Sequence, residues 1–275
     1  MASLRETKDR ISSVKGTLKI TTAMKFVASS KLRKAQNAID AMVPYHKAIS
    51  EILHSLKSAH TGLEANPDGK VAIVAMASNT SLCGSFNANA LRAANTQLLK
   101  YRDAEVYAIG RKMSEPLAKA GHPSVDDFTK LMASPDYDQA AELADRLCDK
   151  FQKGEYSKVI LVYNHFENFV TQQAMVETFL PFDLHVGGTS DEEEFILEPG
   201  EEEIARRLLP EVLRLKFYTT LLDSAAAENA ARTIAMQTAS DNAEKLLGEL
   251  TLEYNKGRQQ KITNEILDLI GGAQQ

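Results

Sequence analysis

Two stretches, one at each end of the chain, carry apolar residues on a repeating 3-4 spacing. From Leu4 it falls on Leu4, Thr7, Ile11, Val14, Leu18, Thr21, Lys25, Ala28, Leu32, Ala35, Ile39, Met42, His46, Ile49, Leu53 and Leu56. Twelve of these sixteen are apolar. A sustained seven-residue repeat keeps one narrow seam facing a partner helix, so the spacing predicts a coiled-coil helix, roughly 80 Å long through Leu56 at about 1.5 Å per residue. Pro44 removes a helical hydrogen bond and crowds the preceding turn, which predicts a kink or a break there. From Leu208 the same spacing reaches Val212, Leu215, Thr219, Leu222, Ala226, Asn229, Thr233, Met236, Ser240, Ala243, Leu247, Leu250 and Tyr254, ten of fourteen apolar. The middle of this seam is small, which lets two helix axes approach closely. Ile262, Ile266, Leu269 and Ile270 continue the stripe until Gly271-Gly272 ends it. Two such helices in one chain pair antiparallel if the middle folds back. Ordinary amphipathic helices on a globular core would be far shorter, about 11–12 residues.

The middle of the chain changes period. Apolar, β-branched runs at 71–76, 106–109, 159–163 and 174–180 predict strands, and helical stretches at 89–101, 113–120 and 137–151 separate them. Buried strands alternating with helices imply a mostly parallel sheet with right-handed crossovers. The expected fold class is therefore α/β: a long antiparallel coiled coil of the terminal helices with an inserted, mostly parallel, Rossmann-like α/β domain. The expected boundaries are residues 1–60 for the N-terminal helix, 70–187 for the α/β domain and 202–271 for the C-terminal helix. Linkers are expected at 61–69 and 187–200.

The 275 residues include 44% hydrophobic and 25% charged positions, ordinary for a globular chain, with a net charge of -5 that is unevenly spread. Residues 5–34 hold nine Lys or Arg against two acids; residues 191–203 hold eight acids and no base. Such asymmetry suggests an acidic partner for the basic helix. The same bases could meet nucleic-acid phosphates, but they ring the helix, Phe26 is the one nearby aromatic, and the sequence pI is about 5.8. Cys83 and Cys148 have no metal-type spacing and read as free thiols. No apolar run approaches the roughly 20 residues of a membrane helix, and the N-terminus lacks a secretory signal's apolar core.

Catalytic patterns are weak. The loop Ser78–Asn87 lies where an α/β fold would hold a phosphate, yet it has one glycine and neither a G-x-G-x-x-G nor a Gly-Lys-Ser/Thr element. Asn87 reads as a helix N-cap. Cys83 has no neighbouring base to make it a nucleophile. His46, His54, His60, His122, His165 and His185 form no metal-binding pair, and Asp191–Glu194 lacks the spaced carboxylates of a calcium loop. The residues alone leave open a scaffold with a coiled-coil stalk and a small recognition domain, a nucleotide-dependent hydrolase on the central sheet, and a nucleic-acid binder.

Residues 20–35, Ile-Thr-Thr-Ala-Met-Lys-Phe-Val-Ala-Ser-Ser-Lys-Leu-Arg-Lys-Ala, resemble the N-terminal signature of γ (central shaft) subunits of F-type ATP synthases. Residues 224–236, Ser-Ala-Ala-Ala-Glu-Asn-Ala-Ala-Arg-Thr-Ile-Ala-Met, are similar to the C-terminal signature, as are 239–243, 254–260 and 262–266. Leu82-Cys83-Gly84 and Phe86-Asn87 are similar to the family's central loop, although Thr80-Ser81 stand where the family often has Arg-Gly. Asn229-Ala230 is a second departure, and the cysteine-bearing insertion of the chloroplast form is absent. The resemblance implies a non-catalytic, rotating central stalk without cofactor or metal, coupling ion flow to ATP synthesis or hydrolysis. Implied partners are three α and three β subunits, the ε subunit and the membrane rotor c-ring, with no nucleic acid. It also implies a peripheral membrane complex, on the cytoplasmic side of a bacterial inner membrane or the matrix side of an organelle; the lack of a presequence leans bacterial. By matching position, it assigns rotor–stator contact to Met24, Lys25, Arg232, Arg258, Gln259, Thr263 and Glu265.

Overall fold

The computed structural model describes residues 4–55, 66–182, 198 and 200–272. The elements run α1 (Leu4–Ser55), β1 (Lys70–Met76), α2 (Phe86–Lys100), β2 (Glu105–Ile109) and α3 (Arg111–Lys119). They continue with α4 (Thr129–Ala133), α5 (Tyr137–Gln152), β3 (Tyr156–Phe166), β4 (Gln172–Leu180) and α6 (Glu201–Gly272). The chain divides into two compact units, Met1–Ala28 with Thr233–Gln275, and Ser29–Arg232. Both cuts fall inside the long helices α1 and α6, which therefore contribute to each unit.

In the first unit the two helices are antiparallel. Thr21 Oγ1 and Ser240 Oγ share a hydrogen bond of 2.8 Å. Nearer the N-terminus, Gly257 faces Leu4 so closely that a Cβ there would lie 3.1 Å from the leucine Cδ2. The expected seam positions are the covered ones. Thr7, Thr21, Ala28, Met236, Ser240, Ala243 and Leu250 are buried, whereas their sequence neighbours are exposed or half-buried. Small residues and hydroxyls dominate, so the axes approach closely and each seam hydroxyl has to find a hydrogen bond.

The second unit is built on a four-stranded sheet of order β2-β1-β3-β4. Val74 of the central β1 pairs in parallel with Tyr107 of β2 and Leu161 of β3, and β4 joins β3 antiparallel. Alternation along β1 separates two faces. Ile73, Ala75 and Ala77 pack with Ala90, Ala94 and Leu98 of α2 and Met113 and Leu117 of α3. Ala72, Val74 and Met76 pack on the other face with Leu143 and Leu147 of α5 and Leu213, Phe217 and Leu221 of α6. Ala38, Ile39 and Met42 of α1 close over that second cluster. At the starting ends of the strands Tyr156 is a polar pin: its hydroxyl donates to Glu105 Oε2 at 2.5 Å, lies 2.7 Å from the Tyr107 hydroxyl and accepts from Lys150 Nζ at 3.0 Å.

Three expectations are corrected or extended. Pro44 does not break α1, nor does Pro210 break α6. A proline costs the helix one hydrogen bond, and packing of Met42 and Ile49 on either side of Pro44 offsets it. Asn87 is not an N-cap. The helix starts at Phe86 with Ser85 at the cap position, and Asn87 turns its side chain back into the preceding loop. The short α4 was not legible as a helix, because five residues cannot display a helical period. The linkers' central residues 61–65 and 187–197, with the acids Asp191–Glu194, lie outside the described residues, as do Leu56, His60 and His185. The side chains of His46, Leu53 and His54 do too.

Candidate functional site

The proposed contact positions fall on both units. In the first unit Met24 is half-buried beside the seam, and Lys25 Nζ donates to Gln237 Oε1 at 2.9 Å while standing 5.0 Å from the Phe26 ring. Gln237 Nε2 in turn donates to Asp241 Oδ1 at 2.7 Å. One lysine charge is thereby held at the helix surface by a neutral amide, leaving two of its three N–H groups available to another acceptor. Arg258, Gln259, Thr263 and Glu265 are exposed along the last turns of α6. Their bonds are local: Thr263 Oγ1 donates to the Gln259 carbonyl at 3.0 Å, and Glu265 sits 3.7 Å from Lys261. Exposed pairs of that kind contribute about 0–1 kcal/mol, so these side chains cost little to redirect.

The face of α1 opposite the seam is unusual for a solvated surface. Seam residues Thr21 and Ala28 define one side of the helix, and at 100° per residue Ala23, Phe26 and Val27 fall near the other. Phe26 is 64% exposed, and Ile20 and Val27 are open to a similar degree. On α6, Ile262 and Ile266, expected to continue the seam, are exposed together with Leu267, because they lie beyond Gly257, which faces the first described residue of α1, Leu4. Apolar side chains grouped outside a two-helix pair, rather than scattered singly, mark a surface made to be covered.

Arg232 stands apart from the other six. It belongs to the second unit and is buried, 8% exposed. Its guanidinium donates to the Ser81 carbonyl at 2.5 Å, to the Thr80 carbonyl at 3.4 Å and to Glu228 Oε1 at 2.6 Å. Burial pushes the Glu228 carboxyl above its usual range, and the arginine beside it pulls in the opposite sense. The loop that Arg232 grips is itself densely bonded. Ser78 Oγ donates to the Thr80 carbonyl at 2.6 Å, and Asn87 Oδ1 accepts from the Ser78 backbone N–H at 3.0 Å. Asn87 Nδ2 points to Cys83 Sγ at 3.1 Å, and Cys83 is buried. Between them Leu82 takes φ +69° and is 61% exposed. Left-handed backbone costs a non-glycine residue about 1–2 kcal/mol, so the surrounding bonds must hold it there. On the loop's other side Gly110 (φ +93°) turns β2 into α3, where a Cβ would lie 1.9 Å from the Ala77 carbonyl oxygen. Only glycine fits.

Glu228 and the loop carbonyls were missed when the chain was read as sequence. The i, i+4 spacing of Glu228 and Arg232 was the available signal, but it equally describes a surface pair.

A family model described as ATP synthase matches residues 3–275. The chain is 46% identical to the ATP synthase gamma chain of Phocaeicola vulgatus, over 99% of each chain, and 44% identical to that of Bacteroides fragilis at the same coverage. Among solved structures, a chain of the Euglena gracilis mitochondrial ATP synthase (OSCP/F1/c-ring, rotational state 3) aligns with TM-score 0.65 at 17% identity. That alignment covers 98% of this chain and 92% of the other. A chain of the Tetrahymena thermophila mitochondrial ATP synthase central stalk and c-ring aligns with TM-score 0.57 at 24% identity, over 80% and 99%. At these identities the structural likeness speaks for the fold.

Proposed function

The chain belongs to the family of ATP synthase gamma chains, the non-catalytic central-stalk subunits of F-type ATP synthases, and from that premise we propose how its two units divide the work. Residues 1–60 and 202–271 form the shaft, and residues 70–187 a domain that meets the ε subunit and the membrane rotor c-ring. The first unit turns inside a ring of three α and three β subunits, and its outer surface supplies the contacts. The observation that carries this reading is the first unit itself: a thin seam of small residues inside, and Ile20, Phe26 and Val27 outside, where only an enclosing partner would remove them from water.

Met24, Lys25, Arg258, Gln259, Thr263 and Glu265 are the side chains assigned to touch that ring, with Arg232 acting from within the second unit. Because each side of the helix pair differs in charge and apolarity, each β subunit meets a different surface at any instant. Differential contact is what biases a two-state partner, and swinging one site from 1:99 to 99:1 takes about 5.5 kcal/mol. A few charge-assisted hydrogen bonds of about 1.5–3 kcal/mol each, such as Lys25 can offer, reach that scale. No helix among the described residues is long and apolar enough to cross a membrane, and the assigned place is peripheral, on the cytoplasmic face of a bacterial inner membrane.

Affinity purification of a tagged chain from its native membrane tests the assignment. The expected product holds three α and three β subunits per copy of this chain, with ε and the c-ring retained in mild detergent. Recovery of the chain alone, or with partners that are not ATPase subunits, would overturn it.

A further inference from the structure

We infer that Arg232 and Glu228 form an internal latch that locks the loop 78–84 to α6, so that Arg232 is a positioning residue rather than a contact residue. Three observations meet here. The guanidinium is buried and spends its donors on the Ser81 and Thr80 carbonyls and on Glu228. The loop carries a non-glycine residue, Leu82, in left-handed backbone with its side chain turned outward. Cys83, the residue after it, is driven inward against Asn87 and Ser78.

Arginine suits this task for a geometric reason. Its planar fork can reach two adjacent carbonyls and a carboxylate together, which a lysine point charge cannot do with the same directionality. Glu228 sits one helical turn below and neutralises the charge that burial would otherwise penalise. The loop and α6 thereby move as one piece. Force on the exposed Leu82 tip passes through backbone carbonyls to the helix instead of being absorbed by a flexing loop. That the tip meets a partner subunit rests on the function proposed above; the latch does not.

Thiol reactivity reads the latch directly. The chain has two cysteines, both free: Cys83, buried within the loop, and Cys148 on α5, half-buried. Rates of modification by a disulfide reagent, assigned to each cysteine by peptide mapping, are measured on the full-length chain. Losing charge-assisted hydrogen bonds should raise the open fraction of the loop by about tenfold to a hundredfold. Arg232→Ala is therefore expected to accelerate Cys83 by that factor and leave Cys148 unchanged. Arg232→Lys should give a smaller acceleration of Cys83 alone, and it decides the matter if the alanine variant does not fold. Equal acceleration of both thiols, or no change at Cys83 in the lysine variant, would overturn the latch. In the assembled complex, Arg232→Ala should lower ATP-driven ion pumping more than ATP hydrolysis. If the parent chain assembles with no ATPase subunits, the proposed function falls while the thiol result stands.

Discussion

The two units solve the problem of burial in opposite ways. The second unit hides Tyr107, Phe151, Tyr156, Phe179 and Phe217 completely, the mark of a core that drives its own folding through apolar area removed from water. The first unit buries Thr7, Thr21, Ala28, Ser240 and Ala243, and leaves Phe26 and Val27 outside. Its inside is too small to supply much hydrophobic stabilisation and its outside too apolar to be finished. The contrast separates a unit whose large apolar side chains are closed over from one that leaves apolar side chains open on its outside.

The largest effect of a single change should accordingly fall in the second unit. Phe217 is fully buried on α6 and meets the Phe179 ring of β4 edge-on at 5.8 Å between centroids. Phe217→Ala removes a ring from a closed site and is expected to cost about 3–5 kcal/mol, read by urea unfolding. A loss below about 1 kcal/mol would mean that this core is looser than its burial implies.

Next comes the polar pin at the strand starts. Tyr156→Phe keeps the ring and deletes the hydroxyl that Glu105, Tyr107 and Lys150 share, with an expected cost of about 1–3 kcal/mol. The pin also sets a pH dependence. The Tyr156 hydroxyl, with Lys150 and Lys70 adding to it, holds the Glu105 carboxyl below its usual range against the opposing effect of burial. A carboxylate whose folded pKa is depressed adds stability that is present above its unfolded pKa, about 4.3, and lost as pH falls through the lower folded value. Unfolding free energy measured from pH 7 downward should fall through that acidic window, and Glu105→Gln should flatten that limb.

A smaller effect is expected at the seam of the first unit. Thr21→Val strands the buried Ser240 hydroxyl at a cost of about 1 kcal/mol, whereas Ser240→Ala leaves Thr21 its bond to the Leu18 carbonyl and should cost less. The double variant replaces both partners by apolar groups and should recover most of that loss. Additive losses in the double-mutant cycle would show that the pair does not act as a unit.

Legibility in the sequence followed the same division. A seam repeats every seven residues, so Thr21, Ala28, Ser240 and Ala243 could be placed before any coordinates. Strands β1 to β4 were legible from their apolar, β-branched runs, within a few residues of their ends. Contacts made by backbone carbonyls were not legible, because a carbonyl has no letter in the sequence. Arg232 could be matched to a family position, but nothing in the chain's text says that its fork ends on Thr80 and Ser81. Asn87 was misread for a related reason: its type suits a cap, whereas its side chain is recruited by Ser78 and Cys83 across the loop. The outer face of α1 is written in Ile20, Ala23, Phe26 and Val27, but a seven-residue repeat marks only the seam and is silent on the opposite side of the helix.

That outer face gives the smallest stability effect and the sharpest separation of the two units. Phe26 is 64% exposed, so Phe26→Ser should shift unfolding free energy by no more than about 0.5 kcal/mol. Its cation–π contact with Lys25 is exposed, worth about 0.5 kcal/mol, and falls within that bound. If the face is covered by enclosing subunits, the same substitution removes a ring that assembly would bury, at about 1.5–3 kcal/mol. That corresponds to a loss of affinity for the α and β subunits of roughly tenfold to a hundredfold, since about 1.4 kcal/mol is tenfold. Titration of the chain into an α–β assembly, followed by sedimentation, measures it. A variant that is as stable as the parent and binds as tightly would mean that Phe26 stays in water throughout, and that the unfinished surface of the first unit lies elsewhere, along Ile262, Ile266 and Leu267.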